Sequence, residues 1–213
     1  MRLLIMGAPG AGKGTQAVFI KQKYNIPHIS TGDMFREAIA SGTELGKIAK
    51  MYIDDGHLVP DEYTIALIKE RLSRSDCANG FILDGYPRTL AQVLNLEELL
   101  QELNISLDAV LYIDIDQDLL VERICGRMVC PKCGASYHEK FAKPKVDGIC
   151  DLCGSALVHR KDDTKETIGE RINIYLENTK PLLSFYEQKG LLKKIDGSKA
   201  RELIFEDIIN VLE

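Results

Sequence analysis

No apolar run in the chain approaches the length needed to span a bilayer, which argues against an integral membrane protein. An excess of basic charge is also missing. With 32 acidic against 27 basic side chains the formal charge is −5, whereas a nucleic-acid binder leans the other way. Internal repeats and low-complexity tracts are absent, which argues against a solenoid or a disordered array. Met1 leads directly into a strand-like run, so no signal peptide is expected and a cytoplasmic location is. In that reducing compartment six cysteines point away from a disulfide framework and toward metal binding or core packing. What is present is ample apolar content: 213 residues, 45% of them hydrophobic, can bury a full core in one large domain with insertions.

The most informative stretch is Met6-Gly7-Ala8-Pro9-Gly10-Ala11-Gly12-Lys13-Gly14-Thr15-Gln16. An apolar run over 2–6 reads as a buried strand before it, and residues 16–24 read as an amphipathic helix after it, the context a phosphate loop needs. Glycines at 7, 10, 12 and 14 are expected to let the backbone take positive φ and turn several N–H groups toward one anion at a helix N-terminus. Lys13 supplies a charge for the outer phosphates. The strict pattern G-x-x-x-x-G-K-[ST] is broken by one residue, because Gly14 follows Lys13 and the hydroxyl arrives at Thr15.

Apolar strand-like runs alternate with helical patterns along the rest of the chain. Strands are expected over 2–6, 26–29, 81–84, 109–115 and 191–195, and helices over 89–103, 119–127, 164–188 and 199–212. That alternation implies an α/β fold with a five-stranded parallel sheet flanked by helices on both faces. Two segments break the rhythm and read as insertions. Residues 30–59 are helical, with Gly42, Gly46 and Gly56 as punctuation, and residues 126–163 carry most of the cysteines.

In the second insertion, Cys130-Pro131-Lys132-Cys133 and Cys150-Asp151-Leu152-Cys153 form two C-x-x-C knuckles, each followed by a glycine, Gly134 and Gly154. Paired knuckles at this spacing suit tetrahedral zinc, and four thiolates leave no open coordination position, so the zinc is expected to be structural. A disulfide pair or an iron–sulfur site are the rival readings. Cys77 and Cys125 lie outside the knuckles and read as ordinary semi-buried residues.

Cations and carboxylates fall where a polyphosphate site would need them. Arg36 follows a helix start, Arg88 follows a strand end, Arg123 and Arg127 are expected to share one helix face at i, i+4, and Arg160 and Arg171 flank the return from the second insertion. Asp84 ends the run Phe81-Ile82-Leu83 as a strand-terminal carboxylate suited to orienting magnesium through its waters, while Asp33 reads either as a second such group or as a helix cap. No general base is apparent. A site that only gathers cations around phosphates needs none, because a phosphate monoester's second pKa of about 6 leaves it largely ionised at neutral pH.

Four ordered motifs then carry a specific resemblance. Gly7-Ala8-Pro9-Gly10-Ala11-Gly12-Lys13-Gly14-Thr15-Gln16, Ser30-Thr31-Gly32-Asp33-Met34-Phe35-Arg36, Asp84-Gly85-Tyr86-Pro87-Arg88-Thr89 and Arg160-Lys161-Asp162-Asp163 resemble the signatures of the adenylate kinase family in its bacterial long-lid form, whose lid holds zinc. The resemblance runs through essentially the whole chain. It implies reversible transfer of the terminal phosphoryl group of ATP to AMP, giving two ADP, with magnesium, in a monomer. It also implies a P-loop core (1–29, 60–125 and 164–213), an AMP-binding domain (30–59) and a lid (126–163).

Site roles follow from the same resemblance. It implies that Gly10, Ala11, Gly12, Lys13, Gly14 and Thr15 bind ATP phosphates, with Ser136, Tyr137 and Lys199 covering the base and ribose. Arg36 and Arg88 would hold the AMP phosphate, with Arg123, Arg127, Arg160 and Arg171 around the transferring group. Thr31, His57, Leu58, Val59, Gly85, Tyr86, Pro87 and Gln92 would form the rest of the AMP site, Thr31 and Gln92 as base selectors. Tyr137 could equally belong to the small core of the lid. The family often has a cis bond before the proline of Tyr86-Pro87, and its covers close over substrates to exclude water; Asp162 and Asp163 are candidates to brace that closure. A related nucleoside monophosphate kinase with another base preference is the alternative. A zinc-ribbon switch ATPase that binds nucleic acid is a further one, set against a lid with no arginine between Arg127 and Arg160.

Overall fold

The computed structural model describes every residue of the chain except Lys161, so that member of the fourth motif lies outside the described residues. Five strands form one parallel sheet in the order β2-β3-β1-β4-β8: β1 (Arg2–Met6), β2 (His28–Ser30), β3 (Phe81–Asp84), β4 (Ala109–Asp114) and β8 (Leu192–Asp196). Their alternation divides the core in two. Leu4, Met6, Phe81, Leu83 and Val110 face one side and Leu3, Ile5, Ile82, Leu111 and Ile113 the other. Helices α4 (Asp61–Leu72), α5 (Leu90–Glu102) and α8 (Leu182–Gln188) cover the first face through Ile68, Val93, Leu96 and Tyr186. The second face takes α1 (Lys13–Tyr24) and α9 (Arg201–Leu212) through Ala17, Ile20, Ile204 and Ile208. Both faces are sealed, which is why the strands read as continuous apolar runs.

From the central strand β1 the chain leads to β2 at one edge, while the neighbouring β4 leads toward β8 at the other. In such sheets the crevice outside the carboxyl ends of the strands is the ligand site, and the loop 7–12 lies there. The first insertion forms α2 (Thr31–Ala40) and α3 (Glu44–Ile53), packed around Phe35, Ala49 and Val59. The second, reached through α6 (Gln117–Cys125), forms a small antiparallel sheet of order β6-β5-β7 from β5 (Arg127–Val129), β6 (Ser136–His138) and β7 (Val158–His159). Among the described residues no helix is long and apolar enough to cross a membrane.

Three expectations are corrected. The predicted helix over 119–127 is α6 and stops at Cys125, because Gly126 caps it, so Arg127 stands on β5 and does not share a helix face with Arg123. The predicted helix over 164–188 is broken into α7 (Lys165–Ile174), a wide π turn over Tyr175–Thr179, and α8 after Pro181. Asp33 caps nothing: Ser30 is the N-cap of α2 and its hydroxyl accepts from the Asp33 N–H, while the Asp33 carboxylate sits in the first turn.

The punctuating glycines also differ in kind. Gly42 and Gly56 follow α2 and α3 with φ of 67° and 80°, a left-handed backbone that ends a helix cleanly. Gly46 lies inside α3, where the backbone of α2 passes so close that a Cβ would stand 2.1 Å from the Ala38 carbonyl oxygen. Gly46→Ala is therefore expected to force the two helices apart and destabilise the protein by about 1–3 kcal/mol, read as a lowered midpoint in denaturant unfolding; an unchanged midpoint would contradict the packing.

Candidate active site

The phosphate loop turns sharply between β1 and α1. Gly7 has φ 146°, and a Cβ there would stand 2.6 Å from the Ile113 carbonyl oxygen of β4, so both the turn and the close approach exclude any side chain. Gly10 and Gly12 also take positive φ, but Gly14 does not: it lies in α1, facing Asp84, whose Oδ2 is 3.5 Å from where its Cβ would be. Gly14 is thus a helical residue beside a carboxylate, which corrects the expectation of a turn glycine. Lys13 opens α1, and its ammonium donates to the Gly7 and Ala8 carbonyls at 2.8 and 2.9 Å. Burial, reinforced by Arg88, Arg127 and Arg171 and opposed by Asp84, lowers its pKa to about 8.

A cleft of about 550 Å³ opens over this loop. Of the sequence candidates it gathers Gly10, Ala11, Gly12, Lys13, Gly14, Thr15, Asp84, Gly85, Ser136, Tyr137 and Lys199, with Arg36, Arg88, Arg123, Arg127, Arg160 and Arg171. A smaller cavity of about 70 Å³ adjoins it, lined by Thr31, His57, Leu58, Val59 and Gln92. Arg36, Arg88 and Arg171, with Gly32 and Gly85, line both. Two binding spaces therefore meet at a shared set of guanidinium groups.

Carboxylates balance these cations. Asp163, nearly fully buried, receives Arg127 through Nε and Nη2 at 2.8 and 2.6 Å and Arg171 at 2.8 Å. Its burial alone would raise its pKa, but the Arg127 and Arg171 charges hold it below the ordinary carboxylate value. Asp162 lies 3.5 Å from both Arg36 and Arg171. Asp33 meets Arg36 at 2.6 Å and Arg160 at 3.4 Å; burial opposes these charges, but they lower its pKa to about 2. Two of these pairs, Arg160 with Asp33 and Arg36 with Asp162, join residues 30–59 to the end of the second insertion. Arg160 and Arg88, crowded by other guanidinium groups and desolvated, both fall to about 10 and stay charged at neutral pH.

Not every candidate enters the cleft. Tyr86 turns into the core, its hydroxyl donating to the Gln92 carbonyl, and neither it nor Pro87 lines either cavity; the peptide between them is cis. Gln92 is buried, accepts the Arg88 N–H at 2.8 Å and donates to Asp61 at 2.7 Å, so it braces the Arg88 loop as well as facing the smaller cavity. The His57 ring is half exposed and lies 3.6 Å from Glu170. Tyr137 lines the cleft and also packs in the lid core, its hydroxyl accepting the Asp151 N–H. Lys199 points its ammonium at Asp207.

Other residues were missed. His28 Nε2 lies 3.2 Å from Asp84, which is held below the ordinary carboxylate value by His28 and Lys13 against the opposing effect of burial. Asp61 grips both Gln92 and Thr89, and Phe141 lies under Arg123 with its ring 5.7 Å from the guanidinium carbon. These contacts join residues far apart in sequence and carry no local pattern. Only the aromatic residue in the cysteine segment was a signal that could have been followed.

The two knuckles have the same geometry. Gly134 and Gly154, both at φ near 70°, donate back to Cys130 and Cys150, whose N–H groups donate to Ala135 and Ser155. The four sulfurs of Cys130, Cys133, Cys150 and Cys153 lie within 4.8 Å of one another, with 3.4 Å between 130 and 153 and 3.5 Å between 133 and 150. All six cysteines are free, so the disulfide reading is not met. Sulfurs this close are placed to hold one ion, and the set is compatible with zinc; Zn–S bonds of about 2.3 Å put tetrahedral sulfurs about 3.8 Å apart.

A P-loop at the switch point of a parallel sheet, under two adjoining cavities ringed by cations, defines a nucleotide-dependent phosphotransferase. The family model for adenylate kinase matches residues 5–191. A protein from Clostridium tetani named adenylate kinase is 55% identical over 212 residues, covering all of this chain and 98% of its own length. Adenylate kinases from Oceanobacillus iheyensis and Clostridioides difficile are 54% and 53% identical, again over this whole chain and 99% and 98% of theirs. The chain belongs to the adenylate kinase family, a family of nucleoside monophosphate kinases.

With its pKa near 8, Lys13 loses its charge as pH rises through that value, whereas nucleotide phosphates are already ionised. Calorimetric affinity for ATP is thus expected to weaken by roughly tenfold from pH 7 to 9.5, and Lys13→Arg to flatten the profile; a flat wild-type profile would contradict the burial of this ammonium.

Proposed function

We propose that the protein is an adenylate kinase that transfers the terminal phosphoryl group of ATP to AMP, reversibly, giving two ADP. The observation that carries this reading is the sharing of Arg36, Arg88 and Arg171 by the two cavities. A phosphoryl group passing between two nucleotides needs cations at the seam, since the barrier lies in bringing polyanions together rather than in bond-making by the protein. The larger cleft takes ATP. Its phosphates lie on the N–H groups of residues 10–15 and on Lys13, with Arg123 and Arg127 alongside and Ser136, Tyr137 and Lys199 toward base and ribose. AMP takes the smaller cavity, with its base against Leu58, Val59, Thr31 and Gln92 and its phosphate on Arg36 and Arg88. Arg160 and Arg171 neutralise the charge between.

Magnesium would come with ATP and supply further charge neutralisation. Asp84 suits it: an ionised, buried carboxylate facing the start of α1 can accept hydrogen bonds from the ion's waters. Asp33, held by Arg36 and Arg160, is better suited to fastening the covers. We assign residues 1–29, 60–125 and 164–213 to the core, 30–59 to AMP binding and 126–163 to a lid whose closure excludes water. Zinc on the four lid thiolates keeps that cover rigid. Six unpaired thiols support a reducing, cytoplasmic location. A cleft completed within one chain supports a monomer, and a net charge of −5 supports neither nucleic acid nor membrane as partner.

Lys13→Ala and Arg88→Ala are each expected to cut phosphoryl transfer by at least about 100-fold in a coupled assay, with the melting temperature little changed; near-normal turnover in both would overturn the reading. Zinc acts on stability instead. Cys130→Ser, or chelation during unfolding, is expected to lower the melting temperature while turnover persists at low temperature, and a metal-free protein of unchanged stability would refute the structural role.

A further inference from the structure

The segment returning from the lid holds a feature that the phosphoryl-transfer chemistry leaves unexplained. Between α7 and α8 the backbone widens into a π turn, where the Lys180 N–H donates to the carbonyl of Tyr175, five residues back, at 2.8 Å. The turn is built in: the Asn178 side-chain amide donates to the Ile174 carbonyl at 3.2 Å, and Tyr175 is buried against Ala8 of the phosphate loop and Leu120. π turns insert one residue into a helix and occur often at functional sites. The effect here is on direction. An uninterrupted α-helix turns about 100° per residue, so without the extra residue Arg171 and Thr179 would not both turn toward Arg88.

Thr179 is buried, and its hydroxyl does not take the helical partner usual for a buried threonine, the carbonyl four residues back. It donates instead to the Arg88 carbonyl, 3.0 Å away and 91 positions distant in the chain. Arg88 is thereby clamped at three points, with its N–H on the Gln92 side chain, its carbonyl on Thr179 and its Nε on the Gly85 carbonyl at 2.8 Å. A guanidinium held so firmly can present its remaining N–H groups at one fixed place.

We propose that Thr179 is a positioning residue for Arg88, and that the π turn exists to aim it there, so that acceptor binding depends on a helix whose other end carries Arg171. This rests on the reading of Arg88 as the acceptor-phosphate group. The test is the affinity for AMP and for ATP, each measured alone by calorimetry, with the KM for each, in Thr179→Val, Thr179→Ser and Arg88→Ala. Thr179→Val is expected to weaken AMP binding and raise its KM by roughly tenfold, to leave ATP affinity unchanged, and to be rescued by Thr179→Ser. Should Val not fold, as judged by circular dichroism, Thr179→Ala against Thr179→Ser makes the same comparison with less bulk. Equal losses for AMP and ATP, or a lowered melting temperature with native AMP affinity, would overturn the proposal. If Arg88→Ala weakens AMP binding and Thr179→Val does not, Thr179 alone is misassigned; if Arg88→Ala has no effect, the Arg88 reading falls and the positioning role with it.

Discussion

The rest of the structure depends on one electrostatic constraint: many cations must stand close together in a partly dry cleft before any polyanion arrives to balance them. Lys13, Arg36, Arg88, Arg123, Arg127, Arg160 and Arg171 all line the same space. Desolvation, reinforced by the repulsion of neighbouring guanidinium groups, lowers the pKa values of Lys13, Arg88 and Arg160. Such a cluster holds together only if the fold supplies counter-charges and fixes the side chains. It does both, with Asp163 between Arg127 and Arg171, Asp162 between Arg36 and Arg171, and Asp33 between Arg36 and Arg160.

The same pairs tie the two insertions together. Asp33 lies in the first insertion and Arg160 at the end of the second, so their contact crosses from one insertion to the other, as does that of Arg36 with Asp162. Phosphates that enter between these groups compete with the carboxylates for the same guanidinium donors. Binding and the contact between the two insertions are then linked through shared partners. The four thiolates serve a different purpose: the second insertion has a small core of Met128, Ala135 and Tyr137 around two cysteines, too little for independent stability without metal ligation.

Local features were legible in the sequence and long-range ones were not. The phosphate loop and the paired knuckles are defined by spacing over a few residues, and the sheet by apolar runs buried on both faces, so each could be read directly. Arg127 was misread as helical because apolar periodicity continues past Cys125, while the geometry is decided by Gly126 beneath the His138 ring. The break at 175–179 was invisible for a similar reason: Tyr175 and Leu182 keep a helix-like spacing, and the extra residue is justified only by Arg88, 91 positions away. His28 and Asp61 carry no motif. They became legible as partners only when the fold set them against Asp84 and Gln92.

The central claim is that this cluster joins two nucleotides rather than exposing one to water. It is tested most directly by following ADP formation from ATP and magnesium with AMP, UMP, CMP or GMP as acceptor, against a control with no acceptor. The account predicts ADP with AMP and essentially none in the control; rapid ADP formation without an acceptor would contradict it and mark the protein as an ATPase.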